Sequence, residues 1–308
     1  MERLTVIGCG TMGPSIALAA ALAGLSVNLY GINNVDIKQG KIHINKKLKN
    51  LKSLGYHLLQ EREIIMDRIT TTTSLFNAIE GRSFIIEAIP EEVDLKKKLF
   101  TQISGLCGKD VIIASNTSGL APSLLSSSVV YPGRFIVTHF WYPAHLIPLV
   151  EVVPAEMTQK KTVNRTLVLL KKMNKKPVFL KKEIAGFIGN RLQFALFREA
   201  LYLLQEGIAS KDDIDAAVIY GFGRRLCVTG PFVSADLGGL DIYAEISDYL
   251  FESLTNSDRS FPVLKNLVNN KYYGCKTGKG FYEWTPSSSQ EISIKREKEL
   301  IRFLQNEL

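Results

Sequence analysis

A histidine and a glutamate with the potential for acid–base chemistry lie twelve residues apart in the sequence THFWYPAHLIPLVEV. His139 closes one apolar run and Glu151 lies inside the next, so neighbouring strands of an open sheet could bring the two side chains together at one edge. The carboxylate would fix the imidazole tautomer and stabilise the imidazolium that forms when the ring accepts a proton. The pair therefore predicts a general base. An exposed loop histidine and a strand-end glutamate that never touch are the structural alternative.

A glycine-rich loop, GCGTMG, follows the first apolar run and precedes a helical pattern. Gly8 permits a tight turn, Gly10 lets the backbone approach a pyrophosphate, and Gly13 allows the helix to pack closely on the strand. Thr11 and Met12 complete the loop. In this context the loop predicts a dinucleotide-binding site, and a purely structural turn is the alternative.

The second predicted strand ends without the usual acidic residue. It runs SVNLYGINN, and Gly31 occupies the place of the carboxylate that normally binds the adenosine ribose. Without that charge a 2′-phosphate is no longer repelled, and Asn33, Asn34 or Lys38 could contact it. We expect NAD as the cofactor, with NADP as the competitor. Recognition of the ribose by backbone groups is a further alternative.

Short apolar runs rich in β-branched residues alternate with helical patterns in the first part of the chain. Strands are predicted at residues 4–7, 27–30, 84–89, 111–114, 135–138, 149–153 and 177–180. Helices are predicted at residues 12–23, 36–54, 91–106 and 158–173. This alternation predicts an α/β fold with a Rossmann-like doubly wound sheet.

The character of the chain changes after Leu180. Residues 187–207 predict a long helix, further helical patterns follow, and residues 289–308 predict one amphipathic helix. A length of 308 residues also favours two domains. We therefore predict a Rossmann-like dinucleotide-binding domain at residues 1–184 and a mainly α-helical C-terminal domain at residues 185–308.

Composition and charge exclude several classes of protein. A hydrophobic fraction of 46% and a charged fraction of 22% are typical of soluble globular proteins. No apolar run reaches the ~18 residues of a membrane span and the N-terminus lacks a secretory pattern, so we expect a cytoplasmic protein without a membrane partner. The cysteines lack metal-ligand spacing, so reduced thiols and no metal are expected. The net charge of +8 is not accompanied by a nucleic-acid motif, so nucleic acid is not an expected partner.

Several motifs occur in an order that resembles one family of enzymes. They are GCGTMG, EAIPEEVDLKKKLF, SNTSGL, HFWYP with PLVEV, GFIGNR, TGPFVSADLGGLD and KTGKGFYEW. From Leu4 to about Trp284 the chain is similar to the L-3-hydroxyacyl-CoA dehydrogenases. The resemblance implies a Rossmann-like domain and a helical domain that forms a homodimer. It also implies NAD-dependent oxidation of a 3-hydroxyacyl-CoA to the 3-oxoacyl-CoA, in fatty acid metabolism.

The resemblance also assigns roles to single residues. His139 matches the family's catalytic base and Glu151 its partner, while Ser118 and Asn190 match residues that bind the reacting oxygen and help to hold the substrate. These roles suit the chemistry, because the hydroxyl proton needs a base as hydride leaves C3 for the nicotinamide. Ser118 could instead cap a helix, and Asn190 could bind a neighbouring backbone group.

Further positions match the family's contacts with the coenzyme. Glu91 and Lys96 match cofactor-binding positions, and Asn116 lies near the expected nicotinamide. Glu91 and Lys96 could instead be surface charges on a helix. The remaining histidines match no motif and are expected to be structural or exposed: His43, His57 and His145.

Departures from the family pattern leave the substrate open. Tyr142 stands where the family usually has Asn, so Trp141 and Tyr142 place aromatic bulk beside the base. This bulk could narrow the acyl pocket or build a pocket for a different substrate. A lysine-rich stretch at residues 38–52 could nevertheless attract the polyanionic CoA. Relatives of this fold oxidise L-gulonate or carnitine, so a small hydroxy acid without CoA is an alternative substrate. A dinucleotide-binding module that has lost turnover is the second alternative.

Overall fold

One eight-stranded sheet organises the first part of the chain, within the residues that this computed structural model describes, 2–56, 58 and 60–306. The strands are β1 (Leu4–Ile7), β2 (Val27–Tyr30), β3 (Ile69–Thr72), β4 (Phe84–Glu87), β5 (Ile112–Ser115), β6 (Phe135–Phe140), β7 (Leu149–Pro154) and β8 (Lys176–Phe179). Their order across the sheet is β3-β2-β1-β4-β5-β6-β7-β8. Neighbouring strands are parallel except β6 and β7, which are antiparallel. This reversal places β7 directly against the strand that carries the predicted base.

Helices and apolar residues fill both faces of the sheet. The helices that accompany the strands are α1 (Gly13–Leu22), α2 (Asn34–Ser53), α3 (Arg62–Asp67), α4 (Leu75–Ile79), α5 (Val93–Leu106), α6 (Pro122–Ser126) and α7 (Lys160–Lys172). Phe84 and Ile86 of β4 belong to one apolar cluster, whereas Ile85 belongs to a second one. Because successive side chains of a strand point to opposite faces, the two clusters are the two sides of one sheet.

The sheet confirms the predicted fold class, and each of the predicted strands is present with small shifts at its ends. The sequence does not predict β3, whose sequence ITTT has a single apolar residue. Ile69 is buried and Thr70 is exposed, and the strand pairs only with β2 at the edge of the sheet. An edge strand needs little apolar surface, so the pattern that identified the other strands is weak here.

The chain divides into two compact units, Met1–Gly189 with Ile294–Leu308, and Asn190–Ser293. The helices of the second unit are α8 (Gly189–Gln205), α9 (Lys211–Tyr220), α10 (Phe222–Leu226), α11 (Pro231–Gly238), α12 (Leu240–Leu250) and α13 (Pro262–Asn269). The structure thus confirms the predicted helical second half. No residue of α9 to α13 is buried in the chain as the structure describes it.

The last helix, α14 (Pro286–Asn306), returns to the first unit, and we call its portion from residue 294 to 306 the tail helix. Ile301 of the tail helix is buried in the same apolar cluster as Leu48 and Leu51 of α2. Asn50 donates to Glu297 at 3.1 Å. The tail helix therefore packs beside the lysine-rich helix α2. Among the described residues, no helix is long and apolar enough to span a membrane.

Candidate functional site

His139 and Glu151 face each other across the antiparallel pair β6–β7. They are register partners, and side chains directly opposite in such a pair lie on the same face and close together. His139 Nδ1 lies 2.8 Å from Glu151 Oε2. We assign the imidazole proton to Nδ1 because the carboxylate accepts it, which leaves Nε2 as the basic nitrogen. The structure therefore brings together the two residues that the sequence proposes as a general base and its partner.

Glu151 is almost fully buried, and neutral donors surround its carboxylate. Trp141 Nε1 donates to Oε2 at 3.1 Å, while the backbone N–H groups of Ile188 and Gly189 donate to Oε1 at 2.8 and 2.9 Å. Burial alone would raise the pKa of Glu151, but these hydrogen bonds and the one from His139 lower it to about 2. The carboxylate is therefore charged across the working pH range and can stabilise a protonated imidazole.

The chain before helix α8 has an unusual backbone that presents these amides. Gly186 has φ 75° and Phe187 has φ 52°, a left-handed conformation that is unfavourable for a residue with a side chain. The Phe187 ring is buried, with its centroid 5.6 Å from that of His139. A Cβ on Gly189 would lie 2.3 Å from Trp141 Cζ2, so a glycine is required under the indole. Packing of Phe187 against His139 and of Gly189 against Trp141 thus holds the backbone in place.

The loop between β6 and β7 is fixed at two points. His145 is buried, and its Nδ1 lies 2.9 Å from the hydroxyl of Ser15 in helix α1. Lys175 is also buried and donates to the carbonyl groups of Ala144 at 2.6 Å and Ile147 at 3.1 Å. Burial lowers the pKa of His145 to about 3, so this histidine is neutral and structural. The loop that follows the base is therefore rigidly attached to the sheet domain.

Ser118 lies in a loop that Glu91 organises. Glu91 Oε1 accepts hydrogen bonds from the backbone N–H of Ser118 at 2.8 Å and from that of Gly119 at 3.3 Å, and also from the Thr117 hydroxyl. The Ser118 hydroxyl lies 3.3 Å from the same oxygen. Ser118 does not cap a helix, because α6 begins after Ala121. The capping alternative for Ser118 is therefore wrong, while its role toward substrate stays a prediction.

Lys96 connects this loop to the interior of the sheet. Its ammonium lies 2.5 Å from Glu87 Oε1 and 3.2 Å from Glu91 Oε2, and the side chain is only 1% exposed. Glu87, at the end of β4, also accepts a hydrogen bond of 2.6 Å from Ser115 at the end of β5. Lys96 is therefore not a surface charge. Its predicted contact with the coenzyme stays a prediction, whereas its link to Glu91 is direct.

Two asparagines were also predicted to belong to the site. Asn116 Oδ1 accepts a hydrogen bond of 2.9 Å from the backbone N–H of Phe140, which ties the end of β5 to the end of β6 beside the base. Asn190 is the second residue of α8 and the first of the helical unit, and its contact with substrate stays a prediction. His43 is exposed, and His57 lies outside the described residues.

The glycine-rich loop has the shape that a dinucleotide requires. Gly8 has φ 118°, and a Cβ there would lie 2.5 Å from the carbonyl oxygen of Ala88. A Cβ on Gly13 would lie 1.8 Å from the carbonyl oxygen of Gly8, whereas nothing lies within 4 Å of a Cβ on Gly10. The N-cap residue Met12 makes no side-chain hydrogen bond to the first turn of α1. The open space above Gly10 and the helix N-terminus therefore fit a pyrophosphate.

Comparison with known proteins agrees with this geometry. Residues 3–184 match the model of the 3-hydroxyacyl-CoA dehydrogenase NAD binding domain, and residues 186–284 match that of the 3-hydroxyacyl-CoA dehydrogenase C-terminal domain. The chain belongs to the 3-hydroxyacyl-CoA dehydrogenase family. As in that family, its N-terminal domain is an NAD-binding domain.

Proteins whose names give different substrates resemble the chain. The 5-formyl-3-hydroxy-2-methylpyridine 4-carboxylate 5-dehydrogenase of Mesorhizobium japonicum is 32% identical over 98% of this chain and 96% of its own length. A solved structure of a dehydrogenase for the corresponding acid, an NAD⁺-dependent dismutase, covers 99% of both chains with a TM-score of 0.92. The (S)-3-hydroxybutyryl-CoA dehydrogenase PaaH1 from Ralstonia eutropha is 30% identical, covers 92% of this chain and all of its own, and has a TM-score of 0.76.

The sequence patterns do not predict every residue that contributes to the site of this chain. The motif GFIGNR drew attention to Asn190, but the groups that reach Glu151 are the amides of Ile188 and Gly189. Trp141 was expected only to add bulk, yet its indole N–H binds Glu151. The sequence pattern does not single out Glu87, because it is one acidic residue at the end of an otherwise apolar strand. The signal that predicts its role is the first glutamate of EAIPEE, an acidic residue that directly follows the apolar run FII.

Proposed function

We propose that the protein is an NAD-dependent dehydrogenase that oxidises a hydroxyl group of a small acidic substrate without CoA. The observation that carries the catalytic part is the buried His139–Glu151 pair, at 2.8 Å, in an NAD-binding domain. The bound nicotinamide would supply the hydride acceptor. The carbon–hydrogen bond and the oxygen–hydrogen bond of the alcohol then break, and a carbonyl group forms.

The side chains of this protein would handle the proton and the oxygen. His139 Nε2 accepts the hydroxyl proton, and the charged Glu151 stabilises the imidazolium that results. Ser118 and Asn190 hold the oxygen as it becomes a carbonyl. Glu91 and Lys96 hold the loop of Ser118 and would also contact the coenzyme. In the reverse direction the same imidazolium returns the proton.

The tail helix changes the surroundings of the lysines of α2. It packs beside α2, the helix whose lysines were expected to attract CoA phosphates, and it brings the carboxylate of Glu297 to Asn50. Lys47 is the half-buried lysine of α2, and its ammonium lies 5.3 Å from the centroid of the Tyr142 ring. Lys295, Arg296 and Lys298 flank Glu297 on the tail helix, so the charge of this surface does not by itself exclude a polyanion. A small anion could contact Lys47 beside the Tyr142 ring.

Similarity over the full length also supports the small substrate. The dehydrogenase of the pyridine carboxylic acid covers 99% of this chain with a TM-score of 0.92, whereas the hydroxybutyryl-CoA enzyme covers 92% with a TM-score of 0.76. Oxidation of a 3-hydroxyacyl-CoA is the second candidate. The family name and the lysines at the surface of α2 favour it.

A substrate panel tests the proposal. The assay follows NADH absorbance and measures kcat/KM with NADH for acetoacetyl-CoA and with NAD⁺ for L-gulonate, carnitine and 5-formyl-3-hydroxy-2-methylpyridine 4-carboxylate, whose formyl group offers a hydroxyl group as its hydrate. We expect one of the small acids to exceed acetoacetyl-CoA by at least about 100-fold, or roughly 2.7 kcal/mol of transition-state stabilisation. If acetoacetyl-CoA is the best substrate, the acyl-CoA candidate is correct. Binding of NADH without turnover of any compound would identify an inactive module.

We also propose a homodimer built on the helical unit. Within α11 the side chains of Phe232 and Leu237 are 86% and 77% exposed, and Tyr249 of α12 is 67% exposed. So much apolar surface on helices without buried residues is typical of a surface that another chain covers. Size-exclusion chromatography with light scattering should give twice the mass of 34.3 kDa. A monomer at micromolar concentration would contradict this proposal.

A further inference from the structure

The end of strand β2 raises the question of how the chain recognises the adenosine ribose. In dinucleotide-binding domains an acidic residue near this point accepts hydrogen bonds from the ribose hydroxyl groups and repels a 2′-phosphate. Gly31 occupies this position here. With glycine at this position, residue 31 has no charged group that could distinguish NAD from NADP.

The space beside Gly31 is already filled by side chains. A Cβ on Gly31 would lie 2.9 Å from Ile37 Cγ1, 3.0 Å from Cys9 Sγ and 3.2 Å from Asp36 Cβ. Asp36 is thus next to the place from which the missing carboxylate would extend. Cys9 belongs to the glycine-rich loop, so the same point is also next to the dinucleotide site. An acidic side chain could not be added at residue 31 without moving these neighbours.

Helix α2 begins in a way that turns Asp36 back toward the strand. Asn33 is the N-cap, and its side-chain oxygen accepts from the backbone N–H of Asp36 at 2.9 Å. Ile32 is the residue directly after Gly31. Its backbone N–H donates to Asp36 Oδ2 at 3.3 Å. A carboxylate has several acceptor positions, so this one long bond leaves capacity for a ligand.

The charge of Asp36 also reaches the glycine-rich loop. Burial raises the pKa of the Cys9 thiol to about 12, and the negative charge of Asp36 adds to this effect. Asn33, Asn34 and Lys38 could donate to a 2′-phosphate, and all three are exposed. Asp36 is the charged residue whose Cβ would lie 3.2 Å from a Cβ on Gly31.

We propose that Asp36 supplies, from the first turn of α2, the carboxylate that the end of β2 lacks, and that it selects NAD over NADP. The proposal rests on the NAD-dependent function proposed above. Asp36 would accept a hydrogen bond from the ribose and would repel a 2′-phosphate. It is a specificity-determining residue for the coenzyme and takes no part in proton transfer at His139.

Coenzyme titration tests this role without any substrate. Binding of NADH and of NADPH is measured by nicotinamide fluorescence for the wild type, Asp36→Asn and Asp36→Ala. Asparagine retains an oxygen that can accept from Ile32 but removes the charge. We expect the Kd for NADH to rise roughly tenfold and the preference for NADH over NADPH to fall by more than that, since repulsion of the phosphate is lost as well.

Asp94→Asn is the matched control, because Asp94 is an exposed acidic residue in the first turn of α5. It loses the same favourable charge at a helix N-terminus, so it should lower stability similarly but leave the coenzyme ratio unchanged. An unchanged ratio in both Asp36 variants, or a wild type that prefers NADPH, would overturn the role of Asp36. A wild type that binds neither coenzyme would instead contradict the proposed function.

Discussion

Glu87 and Glu151 are buried carboxylates of the same sheet, and different partners keep them there. Glu151 has an indole and two backbone amides in addition to His139, and its pKa is lowered to about 2. Burial raises the pKa of Glu87, and the bonds from Lys96 and Ser115 only partly offset it. Neutral donors therefore surround the charge of Glu151. Glu87 accepts from the Ser115 hydroxyl and from the backbone N–H of Ile89 as well, but its closest partner is the charged Lys96.

Only one of the two partner residues can take part in proton transfer without leaving its carboxylate unpaired. His139 can lose or gain a proton while Glu151 remains satisfied by its other donors. Lys96 cannot be removed without leaving a carboxylate buried and unpaired. The first pair is suited to catalysis and the second to structure. Substitution of His139 and of Lys96 in turn should separate the two roles.

The largest effect is expected from His139→Gln. Loss of the base should lower kcat by about 10²–10⁴-fold on the preferred substrate, while the free energy of unfolding changes by less than about 1 kcal/mol. Steady-state kinetics and urea denaturation measure the two quantities. His43→Gln, an exposed histidine of α2, is the control and should change neither. Turnover of His139→Gln within a few-fold of the wild type would show that another group is the base.

Lys96→Met should lower stability more than any of the other substitutions. An unpaired Glu87 in the interior should lower the free energy of unfolding by about 3–5 kcal/mol. Activity should fall as well, because Glu91 loses the ammonium 3.2 Å away and positions the Ser118 loop less well. Lys98→Met removes an exposed lysine from the same helix and should be neutral within about 0.5 kcal/mol. Equal stability of the two variants would mean that Lys96 does not support Glu87.

Glu151→Gln should remove a pH dependence of stability. The pKa of Glu151 in the folded protein, about 2, is below its ordinary value of 4.5, so its charge stabilises the fold above pH 4.5. This stabilisation, about 3 kcal/mol, is lost as the pH falls from 4.5 toward 2. Denaturation at several pH values should show a flatter profile for the variant. Parallel profiles would assign the acid sensitivity to other carboxylates.

The smallest effect is expected from Tyr142→Asn, which introduces the residue usual in the family. Tyr142 is 53% exposed, so stability should change little. If the ring helps to exclude a thioester, kcat/KM for acetoacetyl-CoA should rise about three- to tenfold, or roughly 1 kcal/mol, and that for the small acid should fall. A parallel loss on both substrates would show that Tyr142 does not discriminate between them.

The sequence predicts the sheet and the His139–Glu151 pair because both depend on short-range patterns. His139 and Glu151 end up opposite each other once β6 and β7 pair as a hairpin-like unit with a defined register. The donors to Glu151 could not be predicted in the same way. They depend on the left-handed backbone at Phe187, a residue whose ring is buried beside His139.

The residues predicted to bind the coenzyme could likewise be only partly described from the sequence. The absence of an acid at Gly31 is plain in the sequence, but the approach of Asp36 depends on where α2 begins and how it packs against Cys9. Lys96 was identified from the family motif, yet its burial between two carboxylates follows from the fold. Long-range packing, rather than local preference, decided these positions.

The contact between Gly189 and Trp141 restricts how relatives of this protein can diverge. Any side chain at residue 189 would overlap the indole ring. A lineage could enlarge residue 189 only after residue 141 had become smaller, since the opposite order passes through a displaced indole. Substitutions at these two positions should therefore arise together, and in one historical order, among descendants of a common ancestor.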